Sequence, residues 1–183
     1  MTAMLGLAAV VTLLLWVLYA FNRLVRHANL VREAWSGIDV QLKRRHDLVP
    51  NLVDVVKAHA GFERGVLEEI TRLRSGAQSP RASADLQDRE NVLTARLKSV
   101  LAVAEAYPEL RASRSYLDLQ TQLAGVEDQL QMARRYYNGA VRDYNIAVES
   151  FPSNLVAAVF RFPLETFFQV ETATDRSVPK VSL

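Results

Sequence analysis

The sequence predicts an all-α protein in which one N-terminal transmembrane helix is followed by an elongated antiparallel bundle of long helices. Three observations carry that expectation. No side chain before Arg23 is charged. Beyond it, apolar residues recur every three or four positions over long stretches, the period of a helix face. No stretch alternates with period two, so no strand is predicted. The expected organisation is a transmembrane anchor over residues 1–22, a helical bundle domain over 23–168 and a flexible tail over 169–183.

The anchor comes first. From Leu5 to Phe21 the chain reads LGLAAVVTLLLWVLYAF. Inside a bilayer every backbone polar group must bond within the chain, so such a run is helical. About 17–25 residues cross the hydrocarbon core, which makes this span short but sufficient. Trp16, Tyr19 and Phe21 gather at its C-terminal end, where aromatic rings favour the membrane interface. The competing reading is a cleaved signal peptide, which needs a basic start and small residues before the cut. Residues 1–4 hold no Lys or Arg, and Leu18-Tyr19-Ala20 supplies only its last residue, so a retained anchor is expected. Arg23, Arg26 and Arg32 follow the span and no basic side chain precedes it. The positive-inside rule then places the N-terminus outside and the C-terminal domain in the cytoplasm. The expected location is the bacterial inner (cytoplasmic) membrane, crossed once.

The bundle follows from two long apolar seams and a shorter one. Leu24, Ala28, Val31, Trp35, Ile38, Leu42, Arg45, Val49, Leu52 and Val56 keep helical time, and the stripe then drifts onto Val53, Ala60, Leu67 and Ile70. A helix from the membrane to about Arg74 is expected, kinked near Arg45 and Asp47, because Pro50 removes one backbone bond and crowds the preceding turn. Residues 75–82 read as a loop, with Ser79 as N-cap and Pro80 at the first helical position. Leu86, Leu93, Leu97, Val100, Ala104 and Tyr107 stripe the next helix, which stops before Pro108. The longest seam runs Tyr116, Leu119, Leu123, Val126, Leu130, Ala133, Tyr137, Ala140, Tyr144, Ala147 and Phe151, a mean spacing of 3.5 that suits coiled-coil packing. Ser113 or Ser115 can cap its start, Pro152 ends it, and SNLVAAVF reads as a short last helix. Helices of such unequal length leave overhangs when packed up and down.

Composition narrows the function classes. The formal charge of +2 is nearly balanced, so no nucleic acid is expected as a partner. With no Cys, disulfides, thiol catalysis and thiolate metal sites are excluded. Phosphate-cradling loops, H-E-x-x-H, G-x-S-x-G and dinucleotide fingerprints are all missing, and no cofactor or metal is expected. His59 and Glu63 stand four apart, but two ligands with no third make a weak metal site. The pairs Glu68/Glu69 and Asp85/Asp88 read as solvated faces. Lys43, Arg44 and Arg45 fan around one helix, with Asp39 and Asp47 four residues either side of Lys43. Roughly 30 Å of helix separates that cluster from Arg23, too far for direct lipid contact.

Arg45 stands apart because it occupies a seam position. A buried guanidinium must find acceptors. The long seam offers Tyr137, Asn138, Tyr144 and Asn145, a Tyr-Asn pair repeated after one heptad. Together with Arg44, Asp47, Pro50 and Asn51 these residues form the candidate network. The plainer reading makes it a polar contact that fixes helix register, and the sharper one makes it a docking surface for a partner or peptide. Phe160, Phe162, Phe167 and Phe168 are expected to cap the bundle end or, alternatively, to contact another protein, and residues 172–183 to be mobile.

Several strings now resemble a known family. Ala34-Trp35, Ile38-Asp39-Val40-Gln41-Leu42-Lys43-Arg44-Arg45 and Asp47-Leu48-Val49-Pro50-Asn51-Leu52-Val53 are similar to the hallmark of the LemA family. So are Tyr107-Pro108-Glu109-Leu110, Leu119-Gln120, Ala133-Arg134, Tyr136-Tyr137-Asn138, Tyr144-Asn145 and Phe151-Pro152. His46 and Val49 depart from the pattern without disturbing the helix. The resemblance implies one N-terminal membrane helix with a short outside end and a soluble antiparallel bundle. It implies no catalytic site. Genes of the family often neighbour those of membrane proteins, such as TPM-domain proteins or membrane metallopeptidases, which implies a partner in the membrane.

Three functions are therefore weighed: a membrane-anchored scaffold or adaptor that recruits a protein partner, a self-associating homo-oligomer that organises the membrane, and an enzyme of unrecognised type using Arg45, His46, Asp47 and the tyrosines. In each the lipid bilayer is the first partner, through the N-terminal helix. A reporter fused after Leu183 that fluoresces only in the cytoplasm is expected to be bright, with an export-dependent reporter silent at the same place. The opposite pattern overturns the orientation.

Overall fold

The computed structural model describes residues 1–59, 84–104 and 107–168. Several expectations lie outside them: the loop with Ser79 and Pro80, the stripe at Ala60, Leu67 and Ile70, the extension to Arg74, Glu63, Glu68, Glu69 and the tail from 169. The side chains of His59 and Asp85 are likewise outside the description. Among the described residues every regular element is helical: α1 (Thr2–His59), α2 (Ala84–Ala104), α3 (Pro108–Arg111), α4 (Arg114–Glu149) and α5 (Ser153–Phe160). The protein is all-α, as its periodicity predicts.

α1 runs through the apolar run, past Arg23 and through Pro50 as one helix. Its first part is apolar and long enough to cross a membrane, and the side chains there are almost all uncovered by protein: Leu5, Leu7, Val10, Leu13, Leu14, Leu15 and Leu18 are exposed. Apolar residues on every face are disfavoured in water and suited to lipid.

The chain divides into two compact units, and α1 and α4 contribute to both. Unit 1 comprises residues 1–37 and 133–167. Its core gathers Ala20, Leu24, Ala147, Val156 and Ala157, flanked by Trp16, Val17, Phe21, Val148 and Phe162. Trp35 meets Tyr137 edge-on at 5.5 Å between ring centroids, while Leu24 shares its cluster with Ala147. Numbers rise along α1 as they fall along α4, so the two helices are antiparallel here. α5 closes with Arg161 in the left-handed conformation (φ 57°, ψ 50°). The amides of Arg161 and Phe162 donate to the carbonyls of Ala158 and Ala157, the doubled bond of a Schellman end. That reversal turns Phe162 onto Phe21, whose ring also meets Phe160, at centroid distances of 5.8 and 4.8 Å.

Unit 2 comprises residues 38–132 with 168–183. Its core takes Leu48, Val49, Leu52, Val53 and Val56 from α1, Leu93, Leu97, Val100 and Ala104 from α2, Leu110 from α3, and Tyr116, Leu119, Leu123 and Val126 from α4. α3 begins where Tyr107 is extended and Pro108 takes the first helical position, a place where its missing N–H removes nothing.

The long seam is corrected in two places. Phe151, expected as its last member, lies beyond the end of α4 and is exposed. Beyond Leu130 the buried positions shift from Ala133 and Ala140 to Arg134 and Val141. A helix turns once per 3.6 residues rather than 3.5, so a strict heptad seam migrates around it by about 20° per heptad. Tyr107, placed on the α2 stripe, is likewise exposed beyond that helix.

Leu97→Ala is expected to destabilise the detergent-solubilised full chain by about 2–5 kcal/mol, measured by chemical denaturation followed through the helical circular dichroism signal. Leu117→Ala, on an exposed position, is expected to change it by no more than about 0.5 kcal/mol.

Candidate functional site

Two constellations of polar side chains stand out among the described residues, one in each unit. In unit 2, Arg45 is fully buried although it is the longest basic side chain on its face of α1. Its Nη1 donates to Glu90 Oε2 at 3.2 Å, and its Nη2 donates to Thr94 Oγ1 at 2.7 Å and lies 3.0 Å from Glu127 Oε1. His46 Nε2 reaches the other oxygen of Glu90 at 2.8 Å. Thr94 in turn donates to the Glu90 carbonyl at 2.8 Å, the back-bond that a threonine makes inside a helix. Three helices thus converge on one guanidinium, and Glu90, only 1% exposed, has both carboxylate oxygens engaged. Glu127 is the partly open edge of the cluster.

This corrects the expected partners of Arg45. Tyr137, Asn138, Tyr144 and Asn145 belong to unit 1, and the acceptor on α4 is Glu127, ten residues before Tyr137 and about 15 Å away along the helix. Arg44, Asp47 and Asn51 are exposed and Pro50 is half-buried, so Arg45 alone of that string enters the cluster. Of the grouping weighed for an enzyme, Arg45 and His46 meet on Glu90, Asp47 is exposed, and Tyr137 and Tyr144 belong to unit 1.

The residue missed in the sequence is Glu90. Its signal was present: Leu86, Leu93, Leu97, Val100 and Ala104 leave one vacancy in their alternation of four and three, and Glu90 fills it. A carboxylate at a seam position of one helix answers an arginine at a seam position of another.

In unit 1 the Tyr-Asn pairs fasten the segment after α5. Tyr137 donates to the Thr166 carbonyl at 3.0 Å and Tyr144 to the Pro163 carbonyl at 2.8 Å. Asn145 makes both bonds to one residue: its Nδ2 donates to the Glu165 carbonyl at 2.9 Å, and the Glu165 amide donates to its Oδ1 at 3.0 Å. Residues 162–167 have no regular secondary structure, so their backbone groups need partners from elsewhere. Burial, and then the nearby Glu165 carboxylate, hold the Tyr144 phenol above its ordinary pKa. Asn138 is half-buried and engaged. Of the anchor residues, Leu5 is exposed, while Trp16 and Phe21 are half-buried against unit 1.

Among the described residues no group of three or more His, Asp or Glu could hold a metal ion. A family model described as the LemA family matches residues 34–183. Magnetosome protein MamQ 2 of Paramagnetospirillum magneticum is 26% identical over 196 aligned positions, covering 93% of this chain and 72% of that protein. Protein LemA of Metamycoplasma hominis is 29% identical over 141 positions, covering 74% of this chain and 63% of that one. Magnetosome protein MamQ of Magnetospirillum gryphiswaldense is 24% identical over 202 positions, covering 96% and 73%.

If the buried pair is the brace its geometry describes, Arg45→Met alone should cost about 3–5 kcal/mol by leaving Glu90 buried without its guanidinium partner, and adding Glu90→Leu should recover most of the loss. Denaturation of the wild type, both single variants and the double variant measures the coupling. Additive effects would show that the pair does not act as a unit.

Proposed function

The chain belongs to the LemA family, and we propose that it serves as a membrane-anchored scaffold or adaptor whose helical surface recruits a protein partner. It is a membrane-associated helical protein; the orientation, with the N-terminus outside and the domain in the cytoplasm of a bacterium, and the partner are parts of the proposal. One observation carries the reading. The polar side chains of the two constellations are bonded to each other around Arg45 or to backbone along residues 163–166. What remains to be offered to another molecule is the outer helical surface, where Tyr136 and Ile146 stand exposed on α4. Exposed aromatic and aliphatic side chains on a rigid helix are the residue types that anchor protein interfaces. The magnetosome relatives, too, are named for a cellular structure rather than for a reaction. On this reading the protein is not an enzyme.

A photoreactive side chain placed at Tyr136, activated in intact membranes, is expected to give a discrete adduct with a different protein. Adducts with a second copy alone would replace the adaptor by a self-associating organiser, and no adduct at Tyr136 or Ile146 would remove this face as the recruiting surface.

A further inference from the structure

α5 is unlike the other helices beyond the anchor. Its eight residues, SNLVAAVF, include no charge. Val156 and Ala157 are buried against α1 and α4, yet the opposite face is apolar as well: Leu155 is 56% exposed and Val159 75%. Phe151, just before the helix, is 79% exposed, and Leu164, just after it, 53%. A helix on a water-facing surface carries polar residues on its outer side, and one that is apolar all round belongs in a protein core or in lipid.

Its position selects between those two. α5 packs on the C-terminal end of the apolar run of α1, through Trp16, Val17, Ala20 and Phe21, and Phe160 stacks on Phe21. From Thr2 to Phe21 an α-helix rises about 28 Å, close to the ~30 Å of a hydrocarbon core. A membrane that holds the start of α1 at its far side therefore has its near boundary at the level of α5. The exposed apolar side chains of α5 therefore stand on a helix packed against the end of the apolar run of α1. Arg161 closes α5 and Arg23 follows the apolar run of α1 by two residues; both are exposed and could meet anionic headgroups at that boundary.

We propose that α5 is a second membrane contact: it lies in the interfacial layer beside the exit of the anchor, with Phe151, Leu155 and Val159 against lipid acyl chains. Resting on the anchor reading, this makes unit 1 a partly embedded body rather than one held clear of the bilayer. A short anchor gains from it, because apolar surface is supplied at the depth where the spanning run ends.

The chain contains no cysteine, so single cysteines can be introduced without a background. Leu155→Cys and Val159→Cys, both at exposed positions, would be labelled with an environment-sensitive fluorophore in the full chain and reconstituted into phosphatidylethanolamine–phosphatidylglycerol vesicles. Leu13→Cys in the anchor and Asp118→Cys on the exposed face of α4 are the references. Labels at 155 and 159 are expected to lose most of their emission to lipids bearing a nitroxide near the headgroup, and less to lipids bearing it at the chain end. The label at 13 should be quenched by chain nitroxides and the label at 118 by neither. Quenching at 13 with 155 and 159 behaving like 118 overturns the inference and leaves the anchor standing. Labels at 155 and 159 shielded from aqueous iodide but untouched by nitroxide lipids also overturn it, in favour of a covering protein. No quenching at 13 removes the anchor, and the inference with it.

Discussion

A guanidinium cannot be left inside a protein without acceptors, and in unit 2 that requirement governs how three helices meet. Arg45 bonds to Glu90 and Thr94 on α2 and pairs with Glu127 on α4. Apolar seams attract one another with little discrimination of register, since one leucine replaces another at modest cost. The charged contact is far less tolerant. Moving α2 by one residue would swing Glu90 through about 100° around its helix and leave two charges buried apart. The pair therefore matters less for the net stability it adds, which a well-packed hydrophobic replacement could equal, than for the alternatives it penalises. His46 and Thr94 extend that control by occupying the second oxygen and the carbonyl of Glu90.

Unit 1 solves a different problem. Residues 162–167 follow the left-handed end of α5 and lack a helix or sheet to bond their backbone. Three side chains of α4 do this instead, and Asn145 offers its amide as a substitute for a neighbouring strand. The bonds fall on backbone atoms of Pro163, Glu165 and Thr166, so they fix the path of the segment. That path is what holds Phe162 on Phe21.

Much of this was legible in the sequence. The candidate membrane helix follows from an uncharged apolar run, and the helical class, the short last helix and most seam positions follow from periodicity, because burial of one helix face leaves a mark on every turn. Arg45 stood out for the same reason. Its partner escaped because the stripe on α2 was traced through apolar residues alone, and Glu90 is the polar member of an otherwise apolar row. The Tyr-Asn pairs were recognised as a polar feature but given to Arg45. Their true acceptors are carbonyls of an irregular segment, and a backbone carbonyl carries no residue-type signature. Arg134 and Val141 illustrate drift, which accumulates with helix length, whereas Phe151 lies past the end of α4.

The continuity of α1 has one more consequence. Many single-pass proteins join anchor to domain by a few loose residues, and the domain then swivels and tilts almost independently of the bilayer. Here Trp16, Ala20 and Leu24 lie on the same helical rod as the lipid-facing leucines, and they are already seated in unit 1. A rod inserted as proposed would therefore restrict the tilt of unit 1 and leave only its rotation about the membrane normal free. Two such molecules meeting by lateral diffusion explore a circle of headings rather than a sphere, which reduces the orientational search for any encounter on that plane.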